Sequence, residues 1–307
     1  MIERIEERHP DAERTRLRLA LLGTPQIALA ATDNLTHEVV IKSDKALALL
    51  TFLAVERHKA HDRTQLATLL WSNSTDQNAR QSLRQALYTL RKALAHTADA
   101  MLQISEQTVR INDDEGALWL DAERFSALNT DSLAELQDSA QLYRGEFLEG
   151  LTLPESEPFE DWLRLKRVLY EQHAVLQFSR LTERLIDEGD FASALPTAER
   201  LLAFDPTAEA SHRYLMRIYA GLGNLNAVRS QYTNCERILQ AEVGSKPEGL
   251  TRKLLRDLLE HVAPHHVPTP THPLVGRRRE LEQLGQIIRQ HGSRLITISG
   301  PGGIGKT

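Results

Sequence analysis

The stretch Asp76–Leu94, DQNARQSLRQALYTLRKAL, followed closely by Met101–Asn112, MLQISEQTVRIN, decides how this chain reads. With Leu83 as origin on a helical wheel, Leu87, Leu90 and Leu94 fall within about 40°. Ala79 and Ala86 lie beside them, so one side is a core stripe. Asn78, Gln81, Gln85, Tyr88 and Lys92 occupy the opposite side, with Arg84 next to them and Arg80 and Arg91 bordering the stripe. No acidic residue occurs between Gln77 and Ala95. A solvated helix face normally mixes charge signs, whereas this one is basic and rich in amides. Asn and Gln can pair bidentately with adenine, Arg and Lys with guanine, and flanking Arg side chains can clamp phosphates. The second stretch reads as strand, tight turn at Glu106-Gln107, strand, which places Gln107, Thr108 and Arg110 where a wing approaches a duplex.

Outward from this pair, the elements fall into a recognisable order. Upstream, RLRLALLG and PQIAL alternate as short strands around a Gly23-Thr24-Pro25 turn, and Glu38–Ile41 suits a third strand. Ser43 or Asp44 is placed to cap a helix through KALALLTFLAVERH, and Asp62 to cap RTQLATLLW. Strands, three helices and a closing hairpin make a winged helix-turn-helix with an N-terminal sheet, the OmpR-type variant, over residues 15–115. Residues 1–14, charged throughout, read as a disordered lead.

From Leu118 to about Glu260 the pattern is almost wholly helical. EGDFASALPTAERLLAFDP and LGNLNAVRSQYTNCERIL resemble each other, with Gly189 and Gly223 34 residues apart. That is the tetratricopeptide period. Residues 116–260 are therefore expected to form an α-helical, tetratricopeptide-like repeat domain, which makes the chain mostly α. A proline-rich linker, 261–273, follows. Residues 274–307 then read as the first strand and loop of a truncated α/β P-loop NTPase. RLITIS supplies the strand and GPGGIGKT the loop, whose Gly300, Gly302, Gly303, Gly305, Lys306 and Thr307 would cradle nucleotide phosphates and magnesium. The expectation is a chain forming the front of a larger protein, with ATP and Mg as cofactors of the whole and none in this part.

Composition sets the class. The chain has 307 residues, 41% hydrophobic and 26% charged, with a single cysteine, Cys235, which excludes an internal disulfide and fits a reducing cytoplasm. The net charge of −5 hides an asymmetry. Residues 15–112 carry +4 and residues 116–260 carry −8, which points to different partners for the two halves. The charged N-terminal residues do not read as a signal peptide, and no membrane-spanning segment is expected.

These residues carry a family resemblance. KALALLTFLAVERHKAHDRTQLATLLW with NARQSLRQALYTLRKAL resembles the N-terminal half of Streptomyces antibiotic regulatory protein-type activators. The stretch from FEDWLRLKRV to RIYAGLGN is similar to the bacterial transcriptional activator domain that follows it in that family, and LVGRRREL with GPGGIGKT resembles the start of the signal-transducing ATPase module of its large members. The resemblance implies a winged helix that binds promoter DNA, often as direct repeats, a helical domain that aids dimerisation and contacts RNA polymerase, and a nucleotide-driven control module. It places the recognition helix on Asp76–Leu94. This helix is richer in Gln than that pattern favours, and +4 is a modest charge for a DNA-binding part.

Other features read as structural. His58 and His61 suit a solvated turn at a helix end, and His265-His266 belongs to the linker. Trp71, Trp119 and Trp162 suit packing anchors, and Cys235 a small buried apolar side chain inside a helix. No nucleophile–base or paired-carboxylate pattern marks an enzyme, so the chain reads as a non-enzymatic regulator. The competing readings are a protein-interaction adaptor with a structural winged helix, and an NTPase with N-terminal adaptors.

Overall fold

The computed structural model describes residues 16–30, 36–112, 117–128, 130 and 132–260. The expected lead, linker and P-loop, including Gly300–Thr307, lie outside the described residues. The chain divides into two units, Met1–Leu259 and Glu260–Thr307, and the fold below belongs to the first.

Alternation builds the N-terminal sheet. In β1 (Arg16–Ala20), Leu17 and Leu19 are buried while Arg16 and Arg18 face out. β2 (Gln26–Ala30) pairs antiparallel with it, Leu19 opposite Ile27, across the turn at Gly23. Gly23 takes φ +112°, and a Cβ there would press on Arg144 and on the Gly145 backbone, so glycine is required. β3 is Thr36–Glu38, shorter and earlier than the expected Glu38–Ile41, although the Val39 N–H still donates to Ile27 O (2.8 Å). The fourth strand, β7 (Leu118–Leu120), comes from where helix was expected and lies parallel to β1, giving the order β3-β2-β1-β7. Burial of Leu120 and the pairing partner offered by β1 outweigh the helical propensity of its surroundings.

Three helices follow β3. α1 (Asp44–Val55) is capped by Ser43, whose hydroxyl accepts from Ala46 N–H, and α2 (Arg63–Leu70) by Asp62, which accepts from Thr64 and Gln65 N–H. α3 spans Asp76–Leu94, with Thr75 as its cap. A two-residue strand β4 (His61–Asp62) precedes α2 and joins β6 (Thr108–Ile111) and β5 (Leu102–Ile104) in a second sheet of order β4-β6-β5. The short α4 (Ala98–Met101) leads into that hairpin. His61 is buried, not in a solvated turn: its Nε2 lies 2.9 Å from Glu56 O and its ring meets Phe52 edge-on. Pairing with β6 draws it inside.

The helical half consists of α5 (Asp121–Ala127), α6 (Leu133–Leu142), the long α7 (Glu157–Asp187), α8 (Phe191–Phe204), α9 (Glu209–Gly221), α10 (Leu225–Glu242) and α11 (Gly249–Glu260). The 34-residue period has a physical basis. Gly189 (φ +77°) and Gly223 (φ +74°) each end a helix in the left-handed region. Asp190 N–H donates to Leu185 O and Asn224 N–H to Tyr219 O, and the same two side chains then cap α8 and α10. Each repeat thus opens on one Gly-Asx unit that closes one helix and starts the next. Cys235 is buried in α10, as expected.

One hydrophobic core runs through both halves, from Leu17 and Leu49 through Leu90 to Phe125, Phe159 and Phe178. Trp162 of α7 packs among Phe52, Phe147 and Phe159, and its Nε1–H donates to Glu56 of the C-cap of α1 (3.0 Å). Arg167 of α7 donates to the carbonyls of Phe147, Leu148 and Leu151. A second, smaller cluster around Leu185, Ala194 and Leu215 holds the repeats together.

Within the repeats, His212 of α9 is buried. Its Nε2 lies 2.9 Å from Pro206 O and its Nδ1 2.7 Å from Gln231 Nε2, the pattern of a neutral ring that donates to the carbonyl and accepts from the amide. Burial holds its pKa below 6.5, against the opposing pull of the Pro206 carbonyl and Glu209. A depressed folded-state pKa gives stability that is present above the unfolded value and lost as pH falls through the folded one. Urea midpoints should therefore fall between about pH 7 and pH 5, and His212→Gln should flatten that slope. An identical slope in the variant would assign the acid sensitivity elsewhere.

Candidate nucleic-acid interface

α3 buries Ala79, Leu83, Ala86, Leu87, Leu90 and Leu94 against the core. That single commitment turns its other side outward. Asn78, Arg80, Gln81, Arg84, Gln85, Tyr88, Arg91 and Lys92 are all exposed. Tyr88 keeps 62% of its surface in solvent, an uncommon position for an aromatic ring without a partner to meet.

The hairpin stands beside this face. Ser105 organises its turn: the Ser105 hydroxyl accepts from Gln107 N–H (3.2 Å) and Thr108 N–H (2.9 Å), and Ser105 N–H donates to Thr108 O. The turn is pinned to the start of α2, where Arg63 N–H donates to Gln107 O (2.9 Å) and Arg63 Nη1 to Ser105 O (3.0 Å). Gln107 is exposed, while Thr108 and Arg110 are half-buried.

Two open clefts flank the hairpin and sort the candidate residues. Arg80, Arg84 and Gln107 line the first together with Arg63, Thr64, Asp62 and Glu106. Arg91, Thr108 and Arg110 line the second with Asp99 and Gln103. Arg91 lies 3.4 Å from Asp99, so its side chain is already engaged by the protein, and Arg110 stands opposite Gln103 in the β5–β6 ladder. Asn78, Gln81, Gln85, Tyr88 and Lys92 line neither cleft and form the free face of α3. Arg63 was not singled out in the sequence. Its position directly after the Asp62 cap, at the start of the second helix, is the signal that marks it.

The turn that launches α3 is gripped from the helical half. The carbonyl of Leu70, last residue of α2, accepts from Lys45 Nζ (2.8 Å) and from the Ser156 hydroxyl (2.5 Å). Lys45 also pairs with Glu155 (3.2 Å) and lies over the Trp71 ring (5.3 Å). Ser156 is fully buried at the N-terminus of α7, so the segment that starts the longest helix fixes the entry to α3. Ser156→Ala is expected to cost about 1–2 kcal/mol, read as a lower urea midpoint at unchanged slope. An unmoved midpoint would mean that Lys45 alone satisfies the carbonyl.

An N-terminal sheet, three helices and a closing hairpin, continued through one core into stacked helical hairpins, define a winged-helix protein with a repeat domain. Comparison with known proteins makes this specific. Residues 120–259 match the family model of the bacterial transcriptional activator domain. The fold is similar to that of Mycobacterium tuberculosis EmbR, solved in complex with a low-affinity phosphopeptide: TM-score 0.60, 20% identity, 90% of this chain and 70% of that one. No curated protein matches the chain. The resemblance to Streptomyces antibiotic regulatory protein-type transcriptional activators, read from the sequence, is borne out. Among the described residues, no helix is long and apolar enough to cross a membrane.

Proposed function

We propose that this chain is a sequence-specific, DNA-binding regulator of transcription in which α3 reads a promoter and the β5–β6 hairpin is its wing. The observation that carries the reading is the exposed, acid-free face of α3 beside a cleft walled by Arg63, Arg80 and Arg84. Amides at Asn78, Gln81 and Gln85 supply base-edge donors and acceptors, and the arginines and Lys92 supply phosphate contacts. Gln107, in a turn tied by Ser105 and Arg63, would meet the sugar-phosphate chain. A homodimer on DNA, a contact with RNA polymerase and cytoplasmic location belong to the same reading. So does control by a nucleotide module beginning at Gly300–Thr307, with ATP and Mg bound in the full-length protein.

The test is binding of the chain to duplex DNA from its own upstream region, titrated from about 50 to 200 mM salt. About five phosphate contacts give a log–log slope of roughly −4 to −5. Absence of binding at the low-salt end by folded protein would end the DNA reading and favour an adaptor whose acidic repeats carry the interaction.

A further inference from the structure

The residues of the N-terminal sheet that point away from the core include small and cationic side chains. Alternation puts Arg16, Arg18 and Ala20 of β1 on the same side as Gln26, Ala28 and Ala30 of β2. In the ladder Arg18 stands between Ala28 on one flank and Trp119 of β7 on the other. Its guanidinium leans over the indole, 4.2 Å from the ring centroid. Ala28 and Ala20, with one methyl each, leave a hollow on the side from which Arg18 leans away. Gln141 and Leu142 at the end of α6, with Arg144 just after it, complete this hollow as a cleft of about 200 Å³.

The charges around the cleft do not cancel. Asp121 is the one carboxylate that lines it, and its oxygens already accept from the N–H groups of Leu21, Leu22 and Ala122, with Arg144 3.9 Å away. Arg144 is tied to the carbonyls of Ala20 (2.9 Å) and Thr24 (3.2 Å). The Arg18 guanidinium, by contrast, makes no hydrogen bond or ion pair among the described residues. Arg124 also lies over Trp119 (5.8 Å) without an acidic partner among them, since Glu123 beside it is drawn to Arg57. Glu38 stands opposite Ala28 in the β2–β3 ladder, exposed, and does not line the cleft.

A solvated surface arginine needs no ligand. One held against an indole, beside a hollow floored by alanines, is preorganised, because its side-chain freedom is restricted before anything binds. We propose that this cleft binds a small organic carboxylate, its carboxylate on the fork of Arg18 and its apolar body over Ala20 and Ala28 against Leu142. The planar guanidinium matches a carboxylate with two parallel hydrogen bonds, and the alanine floor disfavours a bare inorganic anion. Gln26 and Gln141 add polar groups that can orient the ligand. The cleft joins three strands of the sheet to the end of α6, so a bound acid ties the two halves together. In a regulator of transcription that makes it an effector site, and only this consequence rests on the DNA reading.

Titration of the DNA-free chain with benzoate and with phenylacetate, up to about 20 mM, tests the cleft, and its failure would leave the salt titration on DNA untouched. At least one of the two acids should bind with Kd on the order of 1 mM, as suits ligands of this size, and raise Tm by about 2–5 °C at the top of the series. Tryptophan fluorescence should change with the same midpoint, and the change should vanish in Trp119→Phe, because Trp71 and Trp162 do not line the cleft. Benzamide, the neutral isostere, and inorganic phosphate at matched ionic strength should do neither. Arg18→Gln should weaken binding about tenfold or more by removing a charge-assisted pair. Ala28→Leu should abolish it by filling the floor, with Tm in the absence of ligand close to that of the parent in both variants. Arg124→Gln, outside the cleft, should change the midpoint by no more than about twofold. Silence with both acids would overturn the site. So would an equal response to benzamide or phosphate, or a response that survives Arg18→Gln and Ala28→Leu.

Discussion

Replacing Asp121 with Ala is expected to destabilise the protein by about 3–5 kcal/mol, a fall in Tm of about 6–20 °C. The residue is 1% exposed and sits where β7 becomes α5. Its carboxylate accepts from Leu21 N–H (2.8 Å), Leu22 N–H (3.0 Å) and Ala122 N–H (2.7 Å), and Arg144 Nη2 lies 3.9 Å away. Arg144 in turn donates to the carbonyls of Ala20 and Thr24, which flank the Gly23 turn. Alanine would leave the three backbone donors with nothing to accept from them and would remove the negative partner of Arg144, and each orphaned buried donor costs about 1–3 kcal/mol. Asn, which retains one acceptor oxygen, should lose roughly half as much. If Asp121→Ala melted within a degree or two of the parent, this carboxylate would not be among the contacts that hold the two halves together.

The pH behaviour separates this carboxylate from His212. Burial pushes the Asp121 carboxyl above its ordinary range, and the three backbone N–H groups and Arg144 only partly offset this. A raised folded-state pKa gives a contribution that is full below the unfolded value and lost as pH rises through the folded one. Asp121 therefore does not drive acid unfolding, and the weakening expected between about pH 7 and pH 5 belongs to His212. The Asp121→Asn and His212→Gln variants should depart from the parent at opposite ends of an acid-to-neutral series.

The elements that the sequence revealed are those whose signals are local. α3 could be bounded because its leucine stripe and the acid-free run Gln77–Ala95 are properties of consecutive residues. The caps Ser43 and Asp62 act over two or three residues, and the Gly-Asx units at 189 and 223 repeat visibly. What was not legible depends on partners distant in the chain. β7 is a strand because β1 lies beside it, each residue pairing with one 101 positions upstream, and Leu118–Leu120 alone carries no sign of that. Ser156 and Asp121 look like ordinary polar residues until the Leu70 carbonyl and the amides of Leu21 and Leu22 are brought to them. His61 read as solvated because its neighbours are polar, whereas its burial comes from pairing with Val109. The exposed candidates on α3 were found from one face of one helix. Their division between two clefts required the hairpin to be placed.

That division ranks the substitutions in DNA binding. Arg84→Ala/Lys92→Ala removes one cation from the walled cleft and one from the far end of the free face, and neither makes an ion pair shorter than 4 Å among the described residues. The salt slope should become shallower by about two, and affinity near 100 mM salt should fall on the order of 100-fold for every sequence tested. Gln85→Ala should behave differently. An amide that reads a base edge carries no counterion effect, so the slope should stay and only the preferred site should lose roughly 5–150-fold. Arg91→Ala should do less than Arg84→Ala, because Asp99 already neutralises Arg91. Glu106→Gln should strengthen binding, since that carboxylate shares the cleft with Arg80 and Arg84 and opposes a phosphate there. Equal losses from Arg84, Gln85 and Arg91, with no change of slope, would mean that these substitutions disturb the fold of α3 and not its contacts. A separation of slope from site preference would assign the arginines to the backbone and the glutamine to the bases.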